Sequence, residues 1–521
     1  MVDACEKGPL TPEQRRNRAF RIRRDAALYD RNHPLPAQVC NGDEARYPDR
    51  IGSFSKALPH DDLGEVDRRA YRALLTAIST GRDFDFEAVP LGGPAKLANP
   101  LAAFAYQMVG PDSHQLAIPP APAFDSAEEA SEMAELYWRA LTRDVHFSDY
   151  GTSWLTSQAA TNLTQFSDFR GPKEGGAVTP DTLFRGDTPG DLVGPFISQF
   201  LYLEYPYGAT RIPQLYRVPF AGDDRITSYN EWLNIQRGFR PTPVQIDPPI
   251  IMPLDPVPRY LRNGRDLGEY VHRDFTYQGY LNAALIMLDF PAAALDPNNP
   301  YLHFAKQAGF VTFGAANILD IVTSIGNAAL RAAWFQKWCV HRRLRPEAFG
   351  GRIHNHLSGA RNYPINSELV GAGAPGREVL EAVLSKYGSY LLPQAYAEGT
   401  PIHPAYPGGH ATISGACATI LKAFFNEDFV IPNPVVASAD GLMLEPYSGP
   451  PLTVGGELNK LASNIAYGRD SAGLHWRSDE RAGLKLGEEV AIGALRDLRA
   501  TFEEEFSGFT LTKFDGTTII V

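Results

Sequence analysis

Three short stretches in the second half of the chain gather cations, glycines and histidines at close spacing. Lys337 precedes Arg345-Pro346 in KWCVHRRLRP, Pro407 precedes Gly408-Gly409-His410, and Gly468-Arg469 precedes His475 and Asp479 in GRDSAGLHWRSD. Together they offer three fixed positive charges, a glycine-lined helix start and two histidines. That is the set a tetrahedral or trigonal-bipyramidal oxyanion requires. Arginine suits the task because its planar fork bonds two oxygens at once. Glycines at a helix start let an anion approach the main chain and reach N–H groups that the first turn leaves unpaired. Taken singly, each stretch is bland: a Lys–Arg pair near a helix end is usually a solvated face, and P-G-G-H is usually a turn into a helix. Their joint occurrence points to one site.

The elements that must position these groups are helical. Ile318, Ile321, Val322, Ile325 and Ala329 keep a helical period up to Lys337 and Trp338, and Pro346 ends that helix near Arg345. Eight residues on, Arg345 lies about 80° around the helix from Lys337, so both lean to one side. Ile413, Cys417, Ile420 and Phe424 mark a helix opened by P-G-G-H; Leu458, Leu461 and Ile465 mark another, broken at Gly468; Leu484, Gly487, Ala491 and Leu495 mark a fourth. Arg469 and His475 then flank a short glycine-containing turn. Asp479, four residues after His475, faces it on the following helix and orients its ring.

The first half is less regular. A basic helical stretch spans Glu13 to Tyr29, a firm helix covers residues 64–80, and S-A-E-E from Ser126 forms a capping box for a helix through Met133, Leu136 and Tyr137. Residues 150–260, rich in Pro, Gly and Tyr, predict loops and small hairpins such as RIPQLYRVP. The fold class is therefore mainly α with minor short β-hairpins. Residues 310–500 form the anion-binding helical core of a single 1–521 domain, and residues 1–60 an extended N-terminal segment.

At 521 residues the chain can bury a large core, and its net charge of -11 argues against nucleic acid or anionic lipid as a partner. The N-terminal residues carry no secretory pattern and no apolar run spans a membrane, so the face-value localisation is cytoplasmic. Cys339 and Cys417 fall in helical apolar patterns and read as free buried thiols, whereas Cys5 and Cys40 lie in a polar segment where pairing is open. His354-Asn355-His356 resembles a metal pair without accompanying ligands and reads as a loop. Asn162-Leu163-Thr164 fits a glycosylation acceptor if the chain is secreted.

The three charged segments resemble the signature of the vanadium haloperoxidase and acid phosphatase superfamily, K-x6-7-RP, P-S-G-H and R-x5-H-x3-D. The seven residues between Lys337 and Arg345 match the algal-type bromoperoxidases, and so do VTFG, HRRLRPEA, GACATILKAFF, LTVGGELNKLA and KFDGTTI. The resemblance covers the second half closely and the first half more loosely. It implies two four-helix bundles in one compact domain and a vanadate cofactor. In that reading His475 coordinates vanadium. Lys337, Arg345, Arg469 and the Gly409 N–H bond the vanadate oxygens, His410 serves as acid–base, and His403 lies near the halide route. The implied activity is oxidation of bromide and iodide, and in some relatives chloride, by hydrogen peroxide to hypohalous acid that halogenates small organic acceptors. Relatives form dimers and twelve-subunit shells, which places residues 1–60 at subunit contacts, and some hold a structural calcium.

Two positions depart from the family. The motif serine is Gly408 here, which removes a hydrogen bond worth about 0.5–1.5 kcal/mol net, so Gly408→Ser is expected to tighten vanadate binding. Trp334 stands where red-algal relatives carry arginine; a packed indole either shapes an apolar halide pocket or fills a core gap. The rival readings are an acid phosphatase, with His475 as nucleophile, and a non-catalytic oxyanion-binding protein, against which the retained His410 speaks.

Overall fold

Thr11 and Pro12 open the first helix by ordinary capping. The Thr11 hydroxyl accepts from the Gln14 N–H, the Gln14 side chain accepts from the Thr11 N–H, and Pro12 sits where no donor is needed. The computed structural model describes residues 10–239 and 254–521. Helices of eight residues or more are labelled in chain order. The first seven are α1 (Pro12–Asn32), α2 (Arg68–Thr80), α3 (Ala127–Leu141), α4 (Trp154–Thr164), α5 (Tyr229–Gln236), α6 (Gly264–Arg273) and α7 (Gln278–Leu288). The rest are α8 (Ala315–Phe335), α9 (Pro346–Leu357), α10 (Pro375–Tyr387), α11 (Gly409–Phe424), α12 (Val454–Ser471) and α13 (Arg477–Arg499).

The mainly α architecture packs around two large cores, the first built by six of these helices and the second by four. In the first, Ile318, Val322 and Ile325 of α8 meet Cys417 and Ile420 of α11, Leu458 and Leu461 of α12, and Val490 and Leu495 of α13, with α6 and α7 alongside. In the second, Met133 and Leu136 of α3 join Ala159 and Leu163 of α4, Phe349 and Ile353 of α9, and Val379 and Val383 of α10. Trp476 belongs to this second core. The turn between α12 and α13 therefore passes from one core to the other. Among the described residues, strands are confined to three antiparallel hairpins, Tyr205–Tyr207 with Thr210–Ile212, Val435–Ala437 with Leu444–Pro446, and Thr510–Thr512 with Thr518–Ile520. No described helix is long and apolar enough to cross a membrane.

Glycines set how closely the first core's helices approach. A Cβ on Gly415 would overlap the Leu484 carbonyl, and one on Gly487 would overlap that of Thr412, so α11 and α13 touch through their backbones. That contact brings the start of α13 to the start of α11, where the Gly408 N–H donates to the Asp479 carbonyl at 2.8 Å.

Several local expectations need correction. The helix carrying Lys337 ends as a π-turn over Gln336–His341, and Arg342, in the left-handed region at φ 44°, turns the chain. Pro346 does not end that helix but starts α9, with Arg345 extended before it as proline demands. Lys337 and Arg345 therefore converge from separate elements rather than from one helical face. Nor does Gly468 break its helix. It lies inside α12, where a Cβ would come within 3.1 Å of the Val271 methyls, so it serves the crossing of α12 with α6.

The helix expected over 64–80 begins at Arg68, capped by Asp67. Only half of the Ser126 capping box forms: Ser126 accepts from the Glu129 N–H, while the Glu129 carboxylate bonds Arg343. RIPQLYRVP contributes Arg211 and Ile212 to a hairpin and continues as an isolated bridge, Tyr216 to Arg259. His354 and His356 lie on α9, not a loop, and each accepts a backbone N–H, from Tyr390 and Tyr363. The Asn162 amide is buried and bonded to Trp138, Pro375 and Glu378, which closes it to glycosylation. Cys417 is buried, Cys339 half-buried in the π-turn, and Cys40 exposed and free; Cys5 lies outside the described residues.

Candidate oxyanion site

Four elements deliver the charged groups to one place. The π-turn after α8 points Lys337 inward, and its Nζ donates to the carbonyls of Pro404 at 2.9 Å and Ala405 at 2.7 Å. From the link before α9, Arg345 donates to the carbonyls of His403 and Leu474, each at 3.0 Å, and reaches His475 Nε2 at 2.8 Å and His403 Nδ1 at 3.0 Å. Arg469, in the last turn of α12, donates to the Val271 carbonyl at 2.8 Å and lies over the Tyr396 ring. His475 and Asp479 come from the turn into α13.

The tautomer of His475 follows from its neighbours. Its Nδ1 lies 2.8 Å from Asp479 Oδ2, while its Nε2 faces the Arg345 guanidinium, which can only donate. The ring is thus neutral, with its proton on Nδ1 and the Nε2 lone pair turned into the site. Burial pushes its pKa well below the ordinary histidine value, and the charges of Arg345, Lys337 and Arg469 push the same way. Asp479 is fixed in turn by Arg343, at 2.8 Å, and by the Trp476 N–H at 3.1 Å. Arg343 also binds Glu129 and Glu132, so a buried ion cluster braces the histidine's support.

Lys337 is wholly buried, and its pKa falls well below the ordinary lysine value, first through burial and then through Arg345. Arg469 Nε is buried without a hydrogen-bond partner among the described residues. Packed cations, one with an unused donor, beside a neutral imidazole lone pair fit a multiply charged oxyanion that also bonds nitrogen. Vanadate meets both conditions.

The remaining candidates line the approach. His410, second residue of α11 and partly exposed, has its Nε2 3.1 Å from Asp274 Oδ1. His403 is buried, with its ring centroid 4.8 Å from that of Trp334. The Trp334 Nε1 donates to the Ala98 carbonyl, and the indole edge lies 3.7 Å from where a Cβ on Gly409 would sit. One side of Trp334 therefore packs in a smaller core with Trp338 and Phe54, and its edge borders the site.

Gly408 owes its place to its neighbour rather than to its backbone. Its φ of -61° is open to any residue, so backbone strain does not call for glycine. Space does: a Cβ there would overlap the Glu480 carboxylate. A serine there needs the end of the Glu480 side chain to swing aside, which offsets part of the tighter vanadate binding expected of Gly408→Ser.

Three residues of the site escaped sequence reasoning: Asp274, Arg343 and Glu480. Only Glu480 left a signal, as a second acid directly after Asp479 in a helix start that is otherwise buried.

A helical-bundle protein whose buried cations and neutral imidazole could together hold an oxyanion is the class that fold and site define. The family described as the VCPO second helical-bundle domain matches residues 325–504. The vanadium-dependent bromoperoxidase of Ascophyllum nodosum is 38% identical over 98% of this chain and 93% of its own length. That of Corallina officinalis is 35% identical over 97% and 98%. The solved structure of the second vanadate-dependent bromoperoxidase of A. nodosum, a homohexamer, superposes with a TM-score of 0.89 at 31% identity, covering 98% of this chain and 91% of that one. The chain belongs to the vanadium-dependent bromoperoxidases.

Replacing Asp479 by Asn leaves the His475 ring without its anionic partner. Orthovanadate affinity of D479N, measured by equilibrium dialysis, is expected to fall by about 10–100-fold, the range typical of such outer partners. An unchanged affinity would remove Asp479 from the account.

Proposed function

We propose that the protein oxidises bromide and iodide with hydrogen peroxide at a vanadate held by His475. The observation that carries this reading is the meeting of Lys337, Arg345 and Arg469 with the neutral His475 lone pair. Bound vanadate supplies a Lewis acid that activates peroxide towards halide without changing its own oxidation state. The overall step consumes bromide, hydrogen peroxide and a proton and gives hypobromous acid and water. Bromide loses two electrons to the peroxide O–O bond.

The chain's own groups bind, orient and move protons. Lys337, Arg345, Arg469 and the Gly409 N–H hold the oxyanion and withdraw charge from it. His410, held through one ring nitrogen by Asp274, takes or returns a proton with the other. His403 and Trp334 form the wall along which halide arrives, and the packed indole suits the weakly hydrated iodide and bromide better than chloride, whose oxidation is proposed to be slow. The released hypohalous acid diffuses to small organic acceptors, so no acceptor pocket is required. The same oxyanion geometry fits phosphate, but family membership favours halide oxidation over phosphatase chemistry.

The protein is proposed to assemble as a homo-oligomer, with residues 1–60 at subunit contacts. In support, α1 buries none of its residues and leaves Phe20, Leu28 and Tyr29 exposed. A structural calcium is carried in the same proposal; among the described residues no group of three or more carboxylate, histidine or cysteine side chains is placed to hold a metal ion, so backbone and amide oxygens would have to supply most of its ligands.

Bromination of a cyclic diketone, with peroxide and bromide, by vanadium-stripped protein before and after orthovanadate addition tests the activity. Restored turnover that excess phosphate suppresses is expected. Hydrolysis of an aryl phosphate without bromination would overturn it.

A further inference from the structure

A cavity of about 380 Å³ shares no lining residue with the oxyanion site. Its walls come from residues 194–196, residues 146–148, Arg262 just before α6, and Val436 and Ala437 of the second hairpin. They are largely aromatic: the Phe147 and Phe196 rings stack with centroids 3.9 Å apart, and Tyr202 and Tyr447 join the lining. Two guanidiniums line the cavity, and their charges are met differently. Asp266 matches Arg262, at 2.7 Å from Nε to Oδ2 and 3.2 Å from Nη2 to Oδ1. Arg185 has no carboxylate partner among the described residues. It donates only to backbone carbonyls, those of Asp191 at 2.7 Å, Gly194 at 2.9 Å and Pro195 at 3.4 Å. Asp191 and Glu457, whose charges reach it, are engaged elsewhere, Asp191 with Thr188 and Ser463 and Glu457 with Lys460. Burial pushes the Arg185 pKa down, because water is withdrawn from a charge that no carboxylate meets. Its Nε and one hydrogen of Nη2 have no partner among the described residues. Nε and Nη2 form the edge of the fork that a carboxylate takes side-on.

We infer that this cavity binds a small aromatic carboxylate, with its carboxylate on Arg185 and its ring against Phe147, Phe196 and Tyr202. The unmatched charge sets the head group. One free guanidinium fits a monoanion, whereas a phosphate monoester would bring a second charge that Arg262, already held by Asp266, is not free to meet. The walls set the body. Arg185 Cζ lies 5.3 Å from the Phe196 ring centroid, so a ring carried by the bound carboxylate comes to rest among aromatic side chains. Such pairs gain more than their buried area alone, which a short aliphatic acid forgoes. The volume falls in the range of small-molecule sites, roughly 300–1,000 Å³. Fastening the turn over residues 191–195 explains three of the Arg185 hydrogen bonds, but neither the spare edge of the fork nor the aromatic space beside it. The site stands apart from whatever the oxyanion cradle holds.

Calorimetry with benzoate as the probe, on the orthovanadate-loaded full chain with no peroxide or halide present, tests this. Saturable binding is expected, with benzyl alcohol and acetate each at least about tenfold weaker, since each lacks one of the two contacts. Arg185→Met keeps an apolar stem and is expected to weaken benzoate at least about tenfold. Because Arg185 also fastens the turn over residues 191–195, Ala437→Trp is the second variant. It fills the cavity from the hairpin, leaves those hydrogen bonds alone, and should abolish benzoate binding. Thermal unfolding shows that each variant keeps its fold. Absence of saturable binding, wild-type affinity in either folded variant, or acetate as tight as benzoate would overturn the inference. So would benzoate binding confined to the vanadium-free chain, which would place the probe in the oxyanion site.

Discussion

His475→Ala is expected to reduce orthovanadate affinity by more than about a hundredfold, beyond the range that loss of an outer partner produces. Bromination should fall with it. The buried His475 imidazole turns an uncharged Nε2 into the cradle, its lone pair set there by the Asp479 carboxylate on the far side. No cation in the site can replace that bond, because lysine and arginine only donate. The fold should survive, since Asp479 keeps Arg343 and the Trp476 N–H when the ring is gone. A far-ultraviolet spectrum and melting curve close to wild type, with vanadate uptake lost, is the expected pair of results. Uptake within tenfold of wild type would place the anchor elsewhere.

Arg345→Ala is expected to lower bromination by about 10²–10³-fold, the scale seen when one preorganised donor is removed from a site where charge develops. Arg345 joins the parts of the site: it bonds the carbonyls of His403 and Leu474 and faces both His475 and His403. Removing it loses a charge-assisted donor and frees the loop carrying His403 from the turn carrying His475. Arg345→Lys should recover only part of the rate, because a single ammonium cannot bond in several directions as the planar fork does. Steady-state rates at saturating vanadate check this, and equal rates for the lysine variant and wild type would contradict it.

Much of the site was legible in the sequence because its chemistry is carried by residue types with few other reasons to be buried together. Lys337, Arg345, Arg469 and His475 stand out by charge, and their separation in the chain mattered less than their joint presence. The route by which they meet was less legible. A period of apolar residues cannot tell an α-helix from one that loosens into a π-turn at its end, so the sequence alone puts Lys337 and Arg345 on one helix. Pro346 after a helical period looks like a stop, though the same conformational restriction serves equally to start α9. Gly468 looks like a break because the residues it packs against, Val271 and Leu267 of α6, lie nearly two hundred residues away in sequence. The importance of Gly408 was visible, but its reason was not: only the packed start of α13 shows that Glu480 fills the missing side chain's place.

The most direct test of the account is a crystal structure of the orthovanadate-loaded protein with the vanadium located by its anomalous scattering. The account predicts a single strong peak within bonding distance of His475 Nε2, its oxygens held by Lys337, Arg345, Arg469 and the Gly409 N–H. A vanadium peak away from His475, or bound vanadate whose oxygens touch none of these cations, would contradict it.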